Sequence, residues 1–244
     1  MKKYFKIHPL TLLTTFIILL CGYFKHYIIM MLIIFIHEIG HIIAGHIFKF
    51  KMIKTVILPF GCITYFKTDL NTKTYKEFIV TISGPLFQII GSIILYLITK
   101  NDLVLFFNKI ILILNLIPII PLDGSKIIES VLFKIYPYYK ALKISEIISI
   151  ITIFIVIIYN VFKFNFLILI WIILLVIENL KNYKLIKYKF YMFLKERYDN
   201  YYSLPYLYIN GINIKNIKKD YKTIFKNNNN YILERDLIKT YLFK

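Results

Sequence analysis

The segment from His37 to His41 reads HEIGH and contains two histidines and a glutamate. The spacing of these three residues suits metal-assisted chemistry. On a helix, the four-residue step from His37 to His41 turns by about 40°, so both imidazoles face one side and can share a metal ion. Glu38 can reach a water molecule on that metal without being a ligand itself. The spacing therefore predicts His37 and His41 as metal ligands and Glu38 as the catalytic base of a hydrolase.

The element that must position these residues is strongly apolar. Hydrophobic residues make up 59% of the 244, and they occur in blocks of about twenty, as in membrane-spanning helices. An ionisable group at membrane depth costs about 2.5–3.5 kcal/mol on insertion scales and is rarely kept without a role. We therefore predict an HExxH site inside a polytopic membrane protein. The alternative is that three polar side chains only bond to neighbouring helices.

The apolar blocks predict an all-α polytopic membrane protein with about six transmembrane helices. The predicted spans lie at about 8–23, 27–48, 77–99, 103–122, 144–161 and 164–180, with a basic connector from Lys126 to Lys143. The first span is expected to stay as an anchor, because no small-x-small cleavage pattern follows Leu20. The domain organisation is then a six-span membrane domain at 1–180, which carries the HExxH site, and a basic cytoplasmic tail at 181–244.

The net charge of +18 comes from lysines in the loops and the tail. These lysines form no recognisable nucleic-acid motif, so no nucleic acid is expected as a partner. Positive flanks on the cytoplasmic face of a lipid bilayer explain them better. An even number of spans puts both termini on one side, which the positive-inside rule makes the cytoplasm of a cell membrane.

The stretch after the HExxH span, Lys51 to Phe66, is rich in β-branched residues and is interrupted by Pro59 and Gly61. It predicts a short β-hairpin or re-entrant loop. Such backbone is tolerated at membrane depth only where it is buried in protein or lines a watery cavity, which places it near the HExxH site. An exposed strand edge there can accept an extended peptide, so the segment Leu58–Phe66 is a candidate substrate partner. The alternative is a superficial connector.

A catalytic zinc ion typically has three protein ligands and one open position, and HExxH supplies only two of them. The candidates for the third ligand are His46, Glu77, Asp123 and Glu129. His46 lies nine residues after His37, about 180° around the helix, and is expected to face away.

Among the three carboxylates, the sequence favours Asp123. It follows Pro118 and Pro121, which break an apolar helix and free backbone groups beside the carboxylate. Glu77 and Glu129 are placed at loop ends and interpreted as solvated.

Three motifs in this order resemble the site-2 protease family of intramembrane metalloproteases. They are HEIGH in the second span, Ser83-Gly84-Pro85 in the third, and Asn115…Pro118…Pro121-Leu122-Asp123-Gly124 in the fourth. The combination of HEIGH and NxxPxxPLDG in a six-span chain is similar to the sporulation type within that family. The resemblance covers about residues 1–200.

This resemblance implies roles for particular residues. His37, His41 and Asp123 would bind zinc, Glu38 would be the catalytic carboxylate, and Asn115 and Pro118 would shape the substrate groove. The implied substrate is a membrane-associated pro-protein of a sporulation sigma factor, cut near the cytoplasmic surface on the mother-cell side of the forespore membrane. Inhibitory membrane partners are also expected from the resemblance.

The chain departs from the sporulation type in two places. Ser125 follows LDG where many relatives have a second glycine, which is a small change. The stretch after Tyr202 is too short for a complete CBS-type motif, so the tail is interpreted as a reduced regulatory segment.

Three other functions fit part of the pattern. One is a site-2 protease that acts on an anti-sigma factor or on signal-peptide remnants, although no PDZ domain fits here. Another is a metal transporter, which would often show internal repeats and a path of polar residues rather than one polar level. The third is a structural scaffold that merely retains the motif.

Overall fold

The computed structural model describes residues 5–7, 9–58, 61–227 and 230–243. Within these ranges the helices are α1 (Pro9–Leu20), α2 (Phe24–Ile47), α3 (Thr74–Thr99), α4 (Asp102–Leu116), α5 (Asp123–Ile135), α6 (Tyr138–Phe162), α7 (Phe166–Asp199) and α8 (Glu234–Leu242). The strands are β1 (Phe5–Ile7), β2 (Lys51–Leu58), β3 (Gly61–Lys67), β4 (Tyr206–Asn210), β5 (Lys222–Asn227) and β6 (Asn230–Leu233). The chain divides into two compact units, Met1–Thr68 with Ile79–Leu116 and Asp69–Phe78 with Ile117–Lys244.

Three of the described helices, α2, α3 and α6, are long and apolar enough to cross a membrane. The expected helical membrane architecture is supported to this extent. Each of the six predicted spans coincides with a helix, although residue 8, the predicted start of the first, lies outside the described ranges. Helices α1 and α4 have 12 and 15 residues, fewer than the roughly 20 that a straight crossing needs. Six crossings and a cytoplasmic location of both termini therefore remain predictions.

The predicted β-hairpin after the HExxH helix is confirmed in the first unit. Strands β2 and β3 pair antiparallel, from Lys51 opposite Lys67 to Leu58 opposite Gly61. Pro59, which the sequence places at the turn, lies outside the described residues, as does residue 60. β1 pairs parallel with the other edge of β2, and no described strand pairs with the outer edge of β3. The sheet therefore has β3 as an edge strand.

Helices α2 and α3 approach closely where both carry small residues. A Cβ atom at Gly40 would lie 2.5 Å from the carbonyl oxygen of Ser83. The Ser83 hydroxyl donates to the carbonyl oxygen of Gly40 at 3.0 Å. On another side of α2, Ile33 packs with Val104 of α4 in a buried cluster. The HExxH helix is thus held by two neighbouring helices of its own unit.

The predicted break in the fourth span is present, and it comes earlier than expected. Helix α4 ends before Pro118, because the residue ahead of a proline disfavours the helical conformation and Pro118 and Pro121 have no N–H. In the second unit, the N–H of Ile120 donates to the Ser149 hydroxyl at 2.9 Å. Its carbonyl oxygen accepts from the amide of Asn179 at 2.8 Å. Side chains of α6 and α7 thereby satisfy the backbone of the broken segment.

The basic connector predicted at 126–143 has a regular structure that the sequence did not indicate. Most of it is α5 and the first part of α6. The apolar side chains Leu132 and Phe133 of α5 are buried in the core of the second unit, which also includes Phe193 of α7 and Phe225 of β5. Helix α5 is amphipathic, and its apolar face packs inward. The lysines of this stretch make that helix hard to recognise from the sequence.

Two carboxylates that the sequence placed at solvated loop ends lie elsewhere. Glu77 is in the first turn of α3 and forms an ion pair with Lys219, whose ammonium lies 2.5 Å from its Oε2 atom. Glu129 lies within α5, where burial raises its pKa. Neither is a solvated carboxylate, because the tail packs against the start of α3 and against α5 within the second unit.

Candidate active site

The imidazoles of His37 and His41 lie side by side on one face of α2, as their spacing predicts. Both are buried, with exposed fractions of 4% and 9%. The Nε2 atoms of the two rings are 3.1 Å apart. Glu38 lies between them in sequence and is also buried, so the HExxH residues form a compact polar cluster inside an apolar helix.

The Nδ1 atom of His41 donates its proton to a fixed backbone acceptor on α3. Its Nδ1 lies 2.8 Å from the carbonyl oxygen of Val80 on α3. A carbonyl oxygen only accepts hydrogen bonds, so Nδ1 must carry the proton and donate it. In a neutral imidazole this leaves Nε2 with an exposed lone pair.

His37 is anchored in the same way through a side chain of α3. Its Nδ1 lies 2.9 Å from Oε1 of Gln88. The amide nitrogen of Gln88 donates to the backbone carbonyl and the side-chain oxygen of Asn108, both at 3.0 Å. The carbonyl acceptor fixes which end of the Gln88 amide is nitrogen, so Oε1 faces His37 and accepts its Nδ1 proton. Nε2 of His37 is therefore also a lone-pair donor.

The Nε2 atoms of the two rings, 3.1 Å apart, carry the lone pairs that a shared metal ion would bind. Two nitrogens at about 2.05 Å from a tetrahedral zinc ion would lie about 3.3 Å apart, close to this spacing. Asp123, which the sequence predicts as the third ligand, belongs to the second unit. Two imidazoles on one helix face fit two of the ligands of a catalytic zinc ion.

Gly84 of α3 is required by the close approach of its backbone to the histidines. A Cβ atom there would lie 2.3 Å from Nε2 of His41 and 2.9 Å from Nε2 of His37. Any side chain would therefore enter the space in front of both candidate ligand atoms. The glycine of the Ser83-Gly84-Pro85 motif therefore keeps this space open.

The carboxylate of Glu38 is bonded to the hairpin. The hydroxyl of Thr64 on β3 donates to its Oε2 atom at 2.9 Å. Glu38 is only 8% exposed. Burying a carboxylate this deeply would be costly without a hydrogen-bond donor such as the Thr64 hydroxyl. The hairpin thus reaches the HExxH residues through a side chain, as well as following them in sequence.

The other predicted site residues occupy the following places. Asn115 is half-buried near the end of α4 in the first unit. In the second unit, Pro118 is half-buried in the non-helical segment, and Asp123 is the first residue of α5 and 6% exposed. The Lys126 ammonium lies 3.4 Å from an oxygen of Asp123. His46 is exposed on α2, as expected for a residue that does not face the site.

Sequence reasoning missed Gln88 and Asn108, which orient His37, and the carbonyl of Val80, which orients His41. One signal for Gln88 was available. It lies four residues after Gly84 and is therefore on the same face of an apolar helix, where an isolated amide needs a partner. The role of the Val80 carbonyl has no sequence signal, since every residue has a carbonyl group.

Comparisons with known proteins matched parts of this chain. Residues 25–103 match the model of Peptidase family M50. The chain is 31% identical over 147 residues to stage IV sporulation protein FB of Bacillus subtilis, which covers 57% of this chain and 51% of the relative. It is 30% identical over 132 residues to a zinc metalloprotease of Methanocaldococcus jannaschii, which covers 49% of this chain and 38% of the relative. The chain thus spans about half or less of the length of these relatives.

A solved structure has the same fold. The site-2 protease from Methanocaldococcus jannaschii matches with a TM-score of 0.59 and 22% identity, over 75% of this chain and 91% of that chain. The matched family segment contains the HExxH helix, the hairpin and α3. The resemblance that the motifs indicate is therefore confirmed: the chain matches Peptidase family M50 through its HExxH region, and its fold is that of a site-2 protease.

Proposed function

We propose that this protein is an intramembrane zinc metalloprotease that cleaves a membrane-associated pro-protein near the cytoplasmic surface of the membrane. The observation that carries the proposal is the pair of histidines whose Nδ1 protons are both anchored while their Nε2 atoms lie 3.1 Å apart. A glutamate adjacent in sequence and bonded to a neighbouring strand supplies the base that hydrolysis needs.

In this proposal His37, His41 and Asp123 are the zinc ligands. The two imidazoles are pre-oriented by α3, and a buried carboxylate at the first position of α5 is a suitable third donor. The name of one relative supports zinc as the metal. When bound, zinc supplies a Lewis acid that makes a water molecule acidic enough to attack an amide near neutral pH.

Glu38 then has two tasks in peptide hydrolysis. As a carboxylate it accepts a proton from the attacking water, and it later gives that proton to the amine that leaves when the C–N bond breaks. The bond from Thr64 holds the carboxylate during both transfers. The anchored histidines cannot take this role, because their Nδ1 protons are committed to Gln88 and Val80.

The substrate must be extended where it is cut, because the amide of a helical residue is shielded by the helix. The outer edge of β3, which no described strand covers, is suited to pair with such a peptide. Asn115 and Pro118 would shape the groove for the peptide, as the resemblance implies. Part of the predicted partner segment, residues 59 and 60, lies outside the described residues.

For the substrate, we propose a sporulation pro-sigma factor, with inhibitory membrane partners that control access to the site. The support is the resemblance of the HEIGH and NxxPxxPLDG motifs to the sporulation type and the similarity to a sporulation protein over half its length. An anti-sigma factor or a signal-peptide remnant is the second candidate substrate. The tail at 181–244 is proposed as a reduced regulatory segment on the cytoplasmic side.

The test is coexpression of the protein with candidate substrates of each class, with and without Glu38→Gln. The proposal predicts that a membrane-associated pro-protein is shortened only when Glu38 is present. Cleavage of a single-span anti-sigma factor instead would change the substrate class and keep the chemistry. No Glu38-dependent cleavage of any class, together with metal flux across vesicles, would favour the transporter.

A further inference from the structure

Two threonine hydroxyls and the carboxylate of Glu38 form a short chain of hydrogen bonds. Thr64 donates to Oε2 of Glu38 at 2.9 Å. The hydroxyl oxygens of Thr55 and Thr64 lie 3.0 Å apart. Because the single proton of Thr64 goes to the carboxylate, Thr55 must be the donor in the second bond. The chain therefore runs in one direction, from Thr55 through Thr64 to Glu38.

The hairpin gives this chain a fixed geometry. Thr55 of β2 and Thr64 of β3 are direct partners in the antiparallel register, so their side chains lie on the same face of the sheet. Thr55 is only 2% exposed. Both are β-branched, which restricts the rotation of each hydroxyl-bearing side chain.

Two further contacts hold the hairpin in its unit. The carbonyl oxygen of Ile57 on β2 accepts from the hydroxyl of Thr11 on α1 at 2.9 Å. The ring of Phe66 on β3 lies so close to α2 that a Cβ atom at Gly45 would meet it at 2.7 Å. A hydroxyl carried by this hairpin is thus a rigid support for a side chain of α2.

We infer that Thr64 is a positioning residue of the proposed protease, whose hydroxyl holds the Glu38 carboxylate in the orientation that proton transfer requires. The inference rests on the proposed function. It adds that the strand proposed to bind the substrate also sets the geometry of the base. Thr55 supports Thr64 by donating to it and has the smaller effect, since Thr64 keeps its own proton when Thr55 is changed.

A purely structural role would need only a β-branched residue at this strand position, and valine meets that need as well as threonine. The hydroxyl matters only if the bond to Glu38 matters. Valine is also close to threonine in size, so Thr64→Val removes the bond without opening a cavity. Serine restores the hydroxyl while losing a methyl group.

The experiment compares full-length wild-type protein with Thr64→Val, Thr64→Ser and Thr152→Val, using a substrate that the wild type cleaves. Thr152 is the matched control, because its hydroxyl makes a bond of similar length, 2.8 Å, but to the carbonyl of Ile148 in its own helix. The measured quantities are kcat, KM and zinc content per chain. Because the lost bond is one to a charged group, Thr64→Val should lower kcat about 10- to 100-fold.

In the expected result, KM and zinc content of Thr64→Val stay within about twofold of wild type, Thr64→Ser recovers most of kcat, and Thr152→Val is unchanged. Wild-type kcat in Thr64→Val would overturn the inference. So would a loss of zinc or of folded protein in Thr64→Val that Thr64→Ser repairs only partly, since the role would then be structural. Either outcome leaves the proposed protease intact, because wild-type cleavage is the precondition of the comparison. Failure of the wild type to cleave any candidate substrate would instead count against the proposed function.

Discussion

The Nε2 atoms of His37 and His41 lie 3.1 Å apart, and each ring is fixed by a hydrogen bond from its opposite nitrogen to α3. Outer partners of this kind set the tautomer and orientation of a metal-binding histidine. The HExxH spacing places the rings on one side of α2, and the bonds to α3 orient both Nε2 atoms toward each other.

Replacing Gln88 by leucine should weaken zinc binding by about 10- to 100-fold, because His37 loses the acceptor that fixes its tautomer and ring orientation. Competition with a chelator on purified protein measures the change. Ser92→Ala is the matched control: Ser92 lies one turn further along α3, is fully buried and has no hydrogen-bond partner among the described residues. Equal zinc affinity in wild type and Gln88→Leu would show that Gln88 does not orient the ligand.

Replacing Gly84 by alanine should abolish zinc binding, although alanine is the better helix former. The added methyl group would lie 2.3 Å from Nε2 of His41. Gly91→Ala is the control, because its methyl group would meet only the side chain of Ile36 and should affect packing rather than metal content. Metal analysis and thermal unfolding of both variants separate the two effects. A Gly84→Ala protein with a full complement of zinc would contradict the proposed metal position.

Replacing Asp123 by alanine should remove most of the zinc, because two histidines from one helix leave a catalytic zinc ion short of one protein ligand. The measurement is zinc per chain in the purified variant, with Glu129→Ala as the control from the same helix. Full occupancy after Asp123→Ala, with loss only after Glu77 or Glu129 is changed, would assign the third ligand elsewhere.

The proposed substrate strand predicts crosslinks. Single cysteines placed along β3 should form disulfides with cysteines near the cleavage site of a bound substrate, because a paired peptide lies within about 5 Å of the edge strand. Ile63→Pro should also slow cleavage, since proline distorts a strand and removes an N–H group. Zinc content should not change. If no β3 position crosslinks and Ile63→Pro is tolerated, the hairpin is a connector, and unwinding of the substrate must depend on Asn115–Pro121.

The sequence predicts the parts of this site that depend on local rules. The helical spacing of His37 and His41, the hairpin after them and the helix break at Pro118 all follow from periodicity and backbone chemistry. These features are also found in the structure, because each is determined by residues close together in the chain.

The parts that the sequence does not predict depend on contacts between distant segments. His37 bonds to Gln88 of α3, which is itself held by Asn108 of α4, and the Glu77–Lys219 ion pair joins residues 142 positions apart. The helices within the basic connector at 126–143 were not predicted, because the apolar side chains of α5 find their partners on α7 and β5, far along the chain. The third ligand stays a prediction for the same reason.

The central claim is tested most directly by zinc content and cleavage in the same preparations of wild-type and Glu38→Gln protein, reconstituted in lipid nanodiscs with a substrate from the coexpression screen. Glutamine has nearly the shape of glutamate but cannot accept the proton of the attacking water, and it leaves both histidines in place. The account predicts one zinc ion per chain in both proteins and cleavage only by the wild type. Cleavage by Glu38→Gln at close to the wild-type rate, with zinc present in both, would contradict it.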